Sequence, residues 1–332
     1  MNITFLTECG EKVGFGHFMR CLAIASAYKE KGINPKLIIC VDKNIVQLQN
    51  YDYDIKSFDW ISKFNQLIKN IEKTDLLVID SISISKDYYS KVINKKDNVL
   101  FIDDYHRWKH KRGVIVDWTV GKEKNFNFKK NNAVSYLYGA KYTALRKEFW
   151  LPKPKVHSKT IREILISFGG SDIYNMTPKI LKLITANYPS FKINVIIGKA
   201  FSNIPEIISE SNINTELIYY PDAVKMKESM EKSDIAIGSG GQTLYELASL
   251  GIPAIAILLV DNQIEDTRGW SEKGFLFDAG WYNQDLLEQS IIKFLEKLKN
   301  YKLRKSMGKI GQLNIDGKGA KRIADYSIDL LK

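Results

Sequence analysis

Residues 2–32, NITFLTECGEKVGFGHFMRCLAIASAYKEKG, carry the pattern that decides the fold of this chain. The apolar run Asn2–Leu6 predicts a buried parallel strand. A glycine-rich loop, Gly10–His17, follows it, and the segment His17–Lys31 places its apolar residues mainly on one side, as an amphipathic helix does. Gly32 is suited to close this helix in a left-handed cap. The stretch therefore predicts a strand, a glycine loop and a helix.

The same alternation of short β-branched runs and longer helical patterns continues along the chain. Seven further runs are predicted as strands: Lys36–Cys40, Leu76–Asp80, Val99–Asp103, Glu163–Phe168, Ile193–Ile197, Asp234–Gly238 and Ala254–Leu258. The stretches between them are long enough for crossover helices, and residues 284–332 are predicted to be helical. This alternation predicts an α/β fold with parallel sheets.

A break in the alternation marks a predicted domain boundary. The polar segment Leu151–Lys159 contains two prolines, which remove backbone donors and disfavour both helix and central strand. A chain of 332 residues also exceeds the usual size of a single domain. We therefore predict two Rossmann-like domains that face a cleft, an N-terminal one at residues 1–150 and a C-terminal one at residues 151–332.

Composition limits the classes of protein to which this chain can belong. The chain has 49 basic and 38 acidic residues, and its net charge of +11 favours anionic ligands such as diphosphates. Lysine is spread along the whole length and no nucleic-acid-binding pattern is present, so we predict no nucleic-acid partner. Three cysteines are too few for a disulfide framework or a four-ligand zinc site. The lack of a disulfide framework favours a cytoplasmic location, where thiols stay reduced.

Segments that insert into membranes are also not expected. The short apolar run at the amino terminus is interrupted by Glu8, Glu11 and Lys12 before the core of a signal peptide could form. The longest apolar stretch, Ile252–Val260, is about half of what a transmembrane helix needs. We therefore predict no transmembrane segment and no export.

The first glycine loop is a candidate catalytic site. Gly14 and Gly16 permit a tight turn at the start of a helix, where bare amides and the positive end of the helix meet the carboxyl edge of the sheet. His17 follows, and a histidine with an ordinary pKa can take a proton from water. A helix-capping or surface histidine beside a simple turn is the alternative. The spacing fails Gly-x-Gly-x-x-Gly, so a dinucleotide site is not predicted.

Acidic side chains end two strands of the first half. Asp80 ends one predicted strand, and Asp103 and Asp104 end another. They are suited either to contact sugar hydroxyls or to orient His17, and helix capping is a third explanation. Asp52-Tyr53-Asp54 resembles a metal–diphosphate motif but lies in a polar stretch without a strand-end glycine turn. We therefore predict no metal site.

A second anion-binding turn is predicted in the other half. Gly238–Gln242 follows an apolar strand and leads into a helix. The amides of Gly240 and Gly241, with the Thr243 hydroxyl, are placed to hold a diphosphate, and Glu246, one helical turn further, is placed to accept hydrogen bonds from a ribose. Exposed helix surface is the alternative for Glu246. The absence of Gly-Lys-Ser/Thr argues against a P-loop NTPase.

Two more strand ends carry polar or glycine residues. Asp261-Asn262-Gln263 follows a fully apolar run, which is typical either of a ligand edge or of helix capping. Gly169-Gly170-Ser171-Asp172 forms a third glycine turn after a strand. It is predicted to face the first domain across the cleft, although turn geometry alone also accounts for it.

Taken together, these motifs resemble the pseudaminic-acid pathway nucleotide-sugar hydrolases, which act on UDP-2,4-diacetamido-2,4,6-trideoxy-β-L-altropyranose. The resemblance rests on Gly14–Arg20, Gly240–Glu246 and Asp261–Gln263, with further matches at Gly139–Phe149 and Gly169–Asp172. The ordered set spans most of residues 1–275 and is far more specific than any single motif.

The resemblance implies a GT-B-like pair of domains that needs no metal or cofactor. The sugar would lie against the first domain, and UDP would be held mainly by the second. His17 would be the general base for water attack with inversion at the anomeric carbon, Asn262 would lie at the sugar or phosphate, and Glu246 would hold the ribose. The predicted substrate-binding residues are Gly14, Gly16, Arg20, Asp80, Asn262 and Gln263, and the predicted nucleotide-binding residues are Gly169, Gly170, Gly240, Gly241, Thr243 and Glu246.

One departure from the family pattern lies near the predicted sugar site. After the strand Leu76–Asp80 the family commonly has a His-Tyr pair, whereas this chain has Ser81-Ile82. The loss of an aromatic hydroxyl changes the hydrogen bonding available to the sugar. Two other functions therefore stay open: a GT-B glycosyltransferase in which His17 deprotonates an acceptor hydroxyl, and a non-catalytic nucleotide-sugar-binding protein.

Overall fold

The computed structural model describes residues 1–10, 13–41, 51–104, 107–121 and 133–332. Contacts divide the chain into two compact units. Unit 1 contains residues 1–147 and 318–332, and unit 2 contains residues 148–317. Each unit is built on one parallel sheet with helices between its strands. The predicted fold class, α/β with two Rossmann-like units, is confirmed.

Unit 1 contains a seven-stranded sheet in the order β3-β2-β1-β4-β5-β6-β7. Its strands are β1 (Ile3–Cys9), β2 (Lys36–Val41), β3 (Asp54–Ser57), β4 (Leu76–Asp80), β5 (Val99–Ile102), β6 (Gly113–Asp117) and β7 (Val134–Tyr138). Helices α1 (Gly16–Glu30), α2 (Phe64–Asn70) and α3 (Lys86–Ile93) connect them. The chain order reverses between β1 and β4, and open α/β sheets bind ligands at the carboxyl ends of the strands that flank such a switch point.

Unit 2 repeats this arrangement with six strands in the order β10-β9-β8-β11-β12-β13. The strands are β8 (Glu163–Ser167), β9 (Lys192–Ile197), β10 (Thr215–Tyr219), β11 (Ile235–Ser239), β12 (Ala254–Leu258) and β13 (Leu276–Trp281). The helices are α4 (Met176–Asn187), α5 (Ile204–Ser209), α6 (Ala223–Lys232), α7 (Gln242–Leu250), α8 (Ile264–Lys273), α9 (Leu287–Leu298) and α10 (Tyr301–Asn314). The switch point of unit 2 lies between β8 and β11.

All eight strands predicted from the sequence are present, with ends that differ by up to three residues, and five others within the described residues were missed. Four of the missed strands, β3, β7, β10 and β13, lie at the edges of the two sheets. Edge strands carry exposed side chains on one or both faces, as β3 does at Asp54, Lys56 and Ser57. Their sequences therefore lack the continuous apolar run by which the central strands are recognised.

The last helix corrects the predicted domain boundary. Helix α11 (Gly319–Leu330) belongs to unit 1, whereas the sequence assigned all of residues 151–332 to the second domain. The hydroxyl groups of Tyr28 on α1 and Ser327 on α11 share a buried hydrogen bond. Ile323, on the same helix, has no exposed surface. These contacts hold the end of the chain on α1.

The predicted linker Leu151–Lys159 also has a different place. It lies within unit 2, and the first boundary falls between Lys147 and Glu148. Two side chains of α10 hold its carbonyl groups: Arg304 Nη2 donates to Ser158 O at 2.6 Å, and Gln312 Nε2 donates to Lys153 O at 2.8 Å. The two prolines therefore belong to an ordered segment of unit 2.

The attachment of α11 to unit 1 predicts that Gly319→Ala is destabilising. A Cβ atom at Gly319 would lie 2.6 Å from Thr143 N and still closer to Thr143 O, so the backbone must shift. We expect a loss of about 1–3 kcal/mol in the free energy of unfolding, measured by urea denaturation. Gly16→Ala is the matched control, because Gly16 also begins a helix and a Cβ there meets nothing within 4 Å. Equal stability of the two variants would contradict this account of α11.

Candidate active site

A histidine and an aspartate meet at the switch point of unit 1. His17 is the second residue of α1, which follows β1, and Asp80 is the last residue of β4. Strands β1 and β4 are parallel neighbours, with Thr7 opposite Asp80, so both carboxyl ends reach the same edge of the sheet. His17 Nδ1 lies 2.7 Å from Asp80 Oδ1. Asp80 has no exposed surface.

Arg20 occupies the next turn of α1 on the same face as His17. Its guanidinium donates to both oxygens of Asp80, from Nε at 2.5 Å and from Nη2 at 2.6 Å. Nη1 donates to Asp104 Oδ2 at 2.5 Å, and the guanidinium carbon lies 5.4 Å from the centre of the Trp118 ring. Arg20 is thus fixed between two carboxylates and an aromatic face.

These charges determine the protonation states of Asp80 and Arg20. Burial alone raises the pKa of Asp80, but the charges and hydrogen bonds of Arg20 and His17 outweigh it and hold that pKa well below its usual range. Burial lowers the pKa of Arg20, and the carboxylates of Asp104 and Asp80 raise it above its usual value. Asp80 and Arg20 therefore stay charged at neutral pH.

The ionised carboxylate assigns the tautomer of His17. Asp80 can only accept a hydrogen bond, so Nδ1 of His17 carries a proton in this contact and Nε2 is the nitrogen directed away from the carboxylate. Arg20 Nη2 also lies 3.1 Å from Nδ1, but both atoms are donors in this assignment and the contact is not a hydrogen bond. Of the residues placed by the structure, none bonds His17 Nε2, and a fixed imidazole with a free basic nitrogen is suited to general-base catalysis.

The structure distinguishes between the roles left open for the aspartates. Sequence reasoning placed Asp80 among the substrate-binding residues and left open whether it contacts the sugar or orients His17; its full burial and its bonds to His17 and Arg20 favour the orienting role. Asp103 is not part of this group, because its Oδ2 lies 2.6 Å from His110 Nε2 in a separate buried pair. Arg20, also predicted to bind the substrate, is bonded to the carboxylates of Asp80 and Asp104.

Sequence reasoning missed Trp118, which packs under Arg20. It follows β6, and that strand was itself missed. The apolar run Val114–Val116 ahead of Asp117 was the available signal, since the polar and aromatic residues just after a buried parallel strand lie at the same sheet edge as Asp80 and Asp104.

The two glycines before His17 shape the loop. Gly14 has φ +73°, and its amide donates to Gly10 O at 2.8 Å, which closes a turn. Residues 11 and 12 inside that turn lie outside the described part of the chain. Gly16 begins α1, and a Cβ there would meet nothing within 4 Å. Among the residues that the structure describes, none therefore closes off the backbone beside His17.

The predicted glycine turns of unit 2 both lie at its switch point. Gly169 and Gly170 follow β8, and Gly240 and Gly241 follow β11 and precede α7. At Gly169, Gly170 and Gly241 a Cβ atom would meet nothing within 4 Å, so the backbone is open there. Asp172 fixes the first turn by accepting from Met176 N at 2.8 Å and from Thr177 N at 2.9 Å at the start of α4.

Gly240 has a packing role in addition to its place in the turn. A Cβ on Gly240 would lie 2.7 Å from Gln263 Cβ and 2.6 Å from Thr267 Oγ1. Gln263, predicted to bind the substrate, accepts a hydrogen bond from Leu259 N through Oε1 at 2.9 Å, which fixes the end of β12. Neighbouring Asn262 is exposed.

Glu246 lies on α7 with only 5% of its surface exposed. The alternative that it is ordinary exposed helix surface is therefore wrong. Thr243, on the first turn of the same helix, is partly exposed.

No metal centre or membrane helix emerges from the described ranges. No three His, Cys, Asp or Glu side chains there are grouped as metal ligands. Asp52, in the discounted Asp-x-Asp motif, has a 98% exposed side chain that pairs with Lys29. Within the same ranges no helix is long and apolar enough to cross a membrane.

Comparison with known proteins finds one family model and several relatives at low sequence identity. Residues 164–323 match the glycosyltransferase family 28 C-terminal domain. The chain is 29% identical over 280 residues to the uncharacterized protein MJ1062 of Methanocaldococcus jannaschii, covering 80% of this chain but 57% of that protein. It is 22% identical to the spore coat polysaccharide biosynthesis protein SpsG of Bacillus subtilis, over 99% of this chain and 98% of that one.

A third relative has a defined activity in its name. The UDP-2,4-diacetamido-2,4,6-trideoxy-β-L-altropyranose hydrolase of Campylobacter jejuni is 24% identical over 279 residues, which cover 83% of this chain and 98% of that protein. The predicted resemblance thus has support from relatives at low identity.

Solved structures share the fold. MurG of Acinetobacter baumannii aligns with a TM-score of 0.67 at 13% identity, over 99% of this chain and 100% of that one. The UDP-GlcNAc 2-epimerase of Neisseria meningitidis, bound to UDP-GlcNAc, aligns with a TM-score of 0.61 at 16% identity, over 99% and 100% of the two chains. The GT-B-like fold is thereby confirmed.

The depressed pKa of Asp80 predicts a pH-dependent effect of Asp80→Asn. A carboxylate whose folded pKa lies below the unfolded value of about 3.9 stabilises the fold above that pH, and this contribution is lost as the pH falls toward the folded pKa. Urea denaturation at pH 7 should show Asp80→Asn less stable than the wild type by about 3 kcal/mol, as for a broken buried ion pair. The gap should narrow at pH 3.

Asp52→Asn is the control for this comparison. Its carboxylate is exposed and pairs only at the surface with Lys29, so little change is expected at either pH. A stability gap for Asp80→Asn that is constant from pH 7 to pH 3 would contradict the ionised, depressed state of Asp80.

Proposed function

We propose that this protein hydrolyses a UDP-linked diacetamido-trideoxy sugar at the anomeric carbon and releases UDP and the free sugar. In pseudaminic-acid-type nonulosonate biosynthesis this would be the step that frees the sugar from its nucleotide. The observation that carries the proposal is the pair formed by His17 and Asp80 at the switch point of unit 1. The similarity to the hydrolase of Campylobacter jejuni supports this reaction over others.

The proposed mechanism uses His17 as the general base. Its Nε2 takes a proton from water while the water oxygen forms a bond to the anomeric carbon. The bond between that carbon and the diphosphate oxygen breaks, its electron pair leaves with UDP, and the configuration inverts. The ionised Asp80 stabilises the imidazolium that forms on His17 and keeps its ring in the productive orientation.

Arg20 and Asp104 would support this step indirectly, through Asp80. Arg20 balances the charge of Asp80, so the carboxylate stays ionised without exposure to water. Asp104 holds the other side of the guanidinium. In this role Arg20 acts through Asp80 and His17 and need not touch the sugar.

UDP would bind at the switch point of unit 2. The open backbone at Gly241 and Gly170 leaves room for a diphosphate beside the amides, and the amino terminus of α7 adds the positive end of a helix. The Thr243 hydroxyl would donate to a phosphate oxygen. Glu246 would accept hydrogen bonds from the ribose, and Asn262 would lie at the sugar or phosphate.

A glycosyltransferase is the second candidate function. The match of residues 164–323 to the glycosyltransferase family 28 C-terminal domain favours it. In that reaction Nε2 of His17 would deprotonate a hydroxyl group of an acceptor, and the leaving group would again be UDP. The two reactions differ only in the nucleophile.

The test is proton NMR of the purified protein with UDP-2,4-diacetamido-2,4,6-trideoxy-β-L-altropyranose, with EDTA and without acceptor. A hydrolase converts this compound to UDP and free sugar, and the first-formed anomer reports inversion. A substrate that persists until an acceptor is added identifies a transferase. Binding without turnover under both conditions identifies a nucleotide-sugar-binding protein and refutes the proposal.

The general-base role predicts that His17→Ala lowers kcat by roughly 10²–10⁴-fold, the usual contribution of such a group. The dissociation constant for UDP, measured by calorimetry, should stay near the wild-type value because UDP is assigned to unit 2. His110→Ala is the comparison variant, because His110 is also a buried histidine of unit 1 but pairs with Asp103 instead of Asp80. Wild-type turnover in the His17 variant would end its role as base.

A further inference from the structure

A buried hydroxyl group without a partner lies behind the second glycine turn of unit 2. It belongs to Thr267 on α8, which has no exposed surface. Among the residues that the structure describes, none forms a hydrogen bond with its Oγ1. Burial of a hydroxyl group without a hydrogen bond is unfavourable, so such a group in a folded protein requires an explanation.

The helix that carries Thr267 offers acceptors that the hydroxyl does not use. Helical serine and threonine hydroxyls ordinarily donate to a carbonyl three or four residues earlier. Three helices of unit 2 show this arrangement: Thr185 Oγ1 donates to Lys182 O at 3.1 Å, Ser229 Oγ to Lys225 O at 2.7 Å, and Ser249 Oγ to Glu246 O at 2.7 Å. The carbonyls of Gln263 and Ile264 hold the same positions relative to Thr267, whose hydroxyl bonds neither of them. The side chain of Thr267 is therefore not held by its own helix.

The hydroxyl of Thr267 lies against the backbone of Gly240 instead. Among the atoms that a Cβ at Gly240 would meet, Thr267 Oγ1 is the nearest, at 2.6 Å. The start of α8 is fixed in this place, because Gln263 Oε1 accepts from Leu259 N at the end of β12. A hydrogen-bond donor is thus held against the turn that precedes α7.

One peptide of this turn is suited to respond to the donor. Its first side is tied to β12, because the amide of Gly240 donates to Ile257 O at 3.3 Å. Gly241 has φ +130°, a conformation that glycine adopts readily, and a Cβ there would meet nothing within 4 Å. A trans peptide directs its carbonyl and its amide to opposite sides. A Gly240 carbonyl that turns toward Thr267 therefore turns the amide of Gly241 toward the open side.

We propose that Thr267 is a positioning residue for anion binding: when a diphosphate binds, the Thr267 hydroxyl donates to Gly240 O and directs the amide of Gly241 at a phosphate oxygen. This role rests on the proposed function, which assigns UDP to the turn. Thr267 acts through the backbone, because Thr267 and Gly240 are both buried. Part of the free energy of the new hydrogen bond then appears as affinity for the anion, since only the bound arrangement contains it.

The experiment measures the dissociation constants of UDP and of inorganic pyrophosphate by calorimetry, for the full chain and for Thr267→Val. Valine keeps the branched shape and removes the donor. The variant should bind both anions about 3–10-fold more weakly, the range that corresponds to one hydrogen bond. Its midpoint of urea denaturation should stay at the wild-type value or rise, because the substitution removes an unpaired buried hydroxyl.

Two further variants control this comparison. Thr267→Ser keeps the hydroxyl and should bind both anions within about twofold of the wild type. Thr185→Val changes a helical threonine of the same unit whose hydroxyl bonds its own helix, and it should leave both dissociation constants unchanged.

A purely structural role for Thr267 gives a different pattern. Thr267→Val would then have a lower urea midpoint and the dissociation constants of the wild type. Unchanged dissociation constants overturn the inference whatever the midpoint does. An equal loss of affinity in Thr267→Ser also overturns it, because the hydroxyl would then not be the group that matters.

Binding without turnover separates these outcomes from failure of the proposed function. A wild type that binds UDP but does not hydrolyse the UDP-sugar refutes the hydrolase, and the dissociation constants still decide the role of Thr267. A wild type that binds pyrophosphate but not UDP refutes the nucleotide assignment, and the constants for pyrophosphate then decide. A wild type that binds neither anion overturns the role of Thr267 together with the anion site.

Discussion

The rest of the candidate active site depends on the buried charge of Asp80. An ionised carboxylate without exposed surface is costly unless its charge is balanced and its oxygens are bonded. Arg20 supplies the balancing charge and His17 one of the hydrogen bonds, and both lie on one face of α1. The pair therefore requires α1 to start close to the end of β1, beside β4. The glycine turn that ends at Gly16 makes this short entry to the helix possible.

The sequence predicted the members of this site better than their roles. Parallel strands bring their carboxyl ends to one edge of a sheet, so the strand pattern alone predicts that His17 and Asp80 share an edge. Whether Asp80 faces a sugar or the histidine depends on β1 and β4 being direct neighbours, and residues 63 positions apart carry no local signal of that pairing. Asp103 and Asp104 show the same limit, since adjacent residues on one strand end have different partners, His110 and Arg20.

The fold was predictable where burial leaves a continuous apolar run and less so at its margins. The central strands met that condition and the edge strands did not. Helix α11 was recognised as a helix, but its amphipathic pattern says only that one face is buried, not against which unit. Its position follows from long-range contacts such as that between Tyr28 and Ser327, which are 299 residues apart in sequence. The linear division into residues 1–150 and 151–332 could not anticipate a chain that returns to its first unit.

The two switch points have the same strand topology but present different chemical groups. In unit 1 the charged side chains of Asp80, Arg20 and Asp104 bond one another at the sheet edge, and the imidazole of His17 is held beside them. In unit 2 the edge offers open glycine backbone at Gly170 and Gly241, suited to an anion because amides carry partial positive charge without a titrating group. Under the proposed function, such a division would separate the handling of the leaving group from the activation of the nucleophile. It would also make hydrolysis and transfer close alternatives, because the proposed leaving group and base would stay the same and the reaction would depend on whether water or an acceptor hydroxyl reaches Nε2.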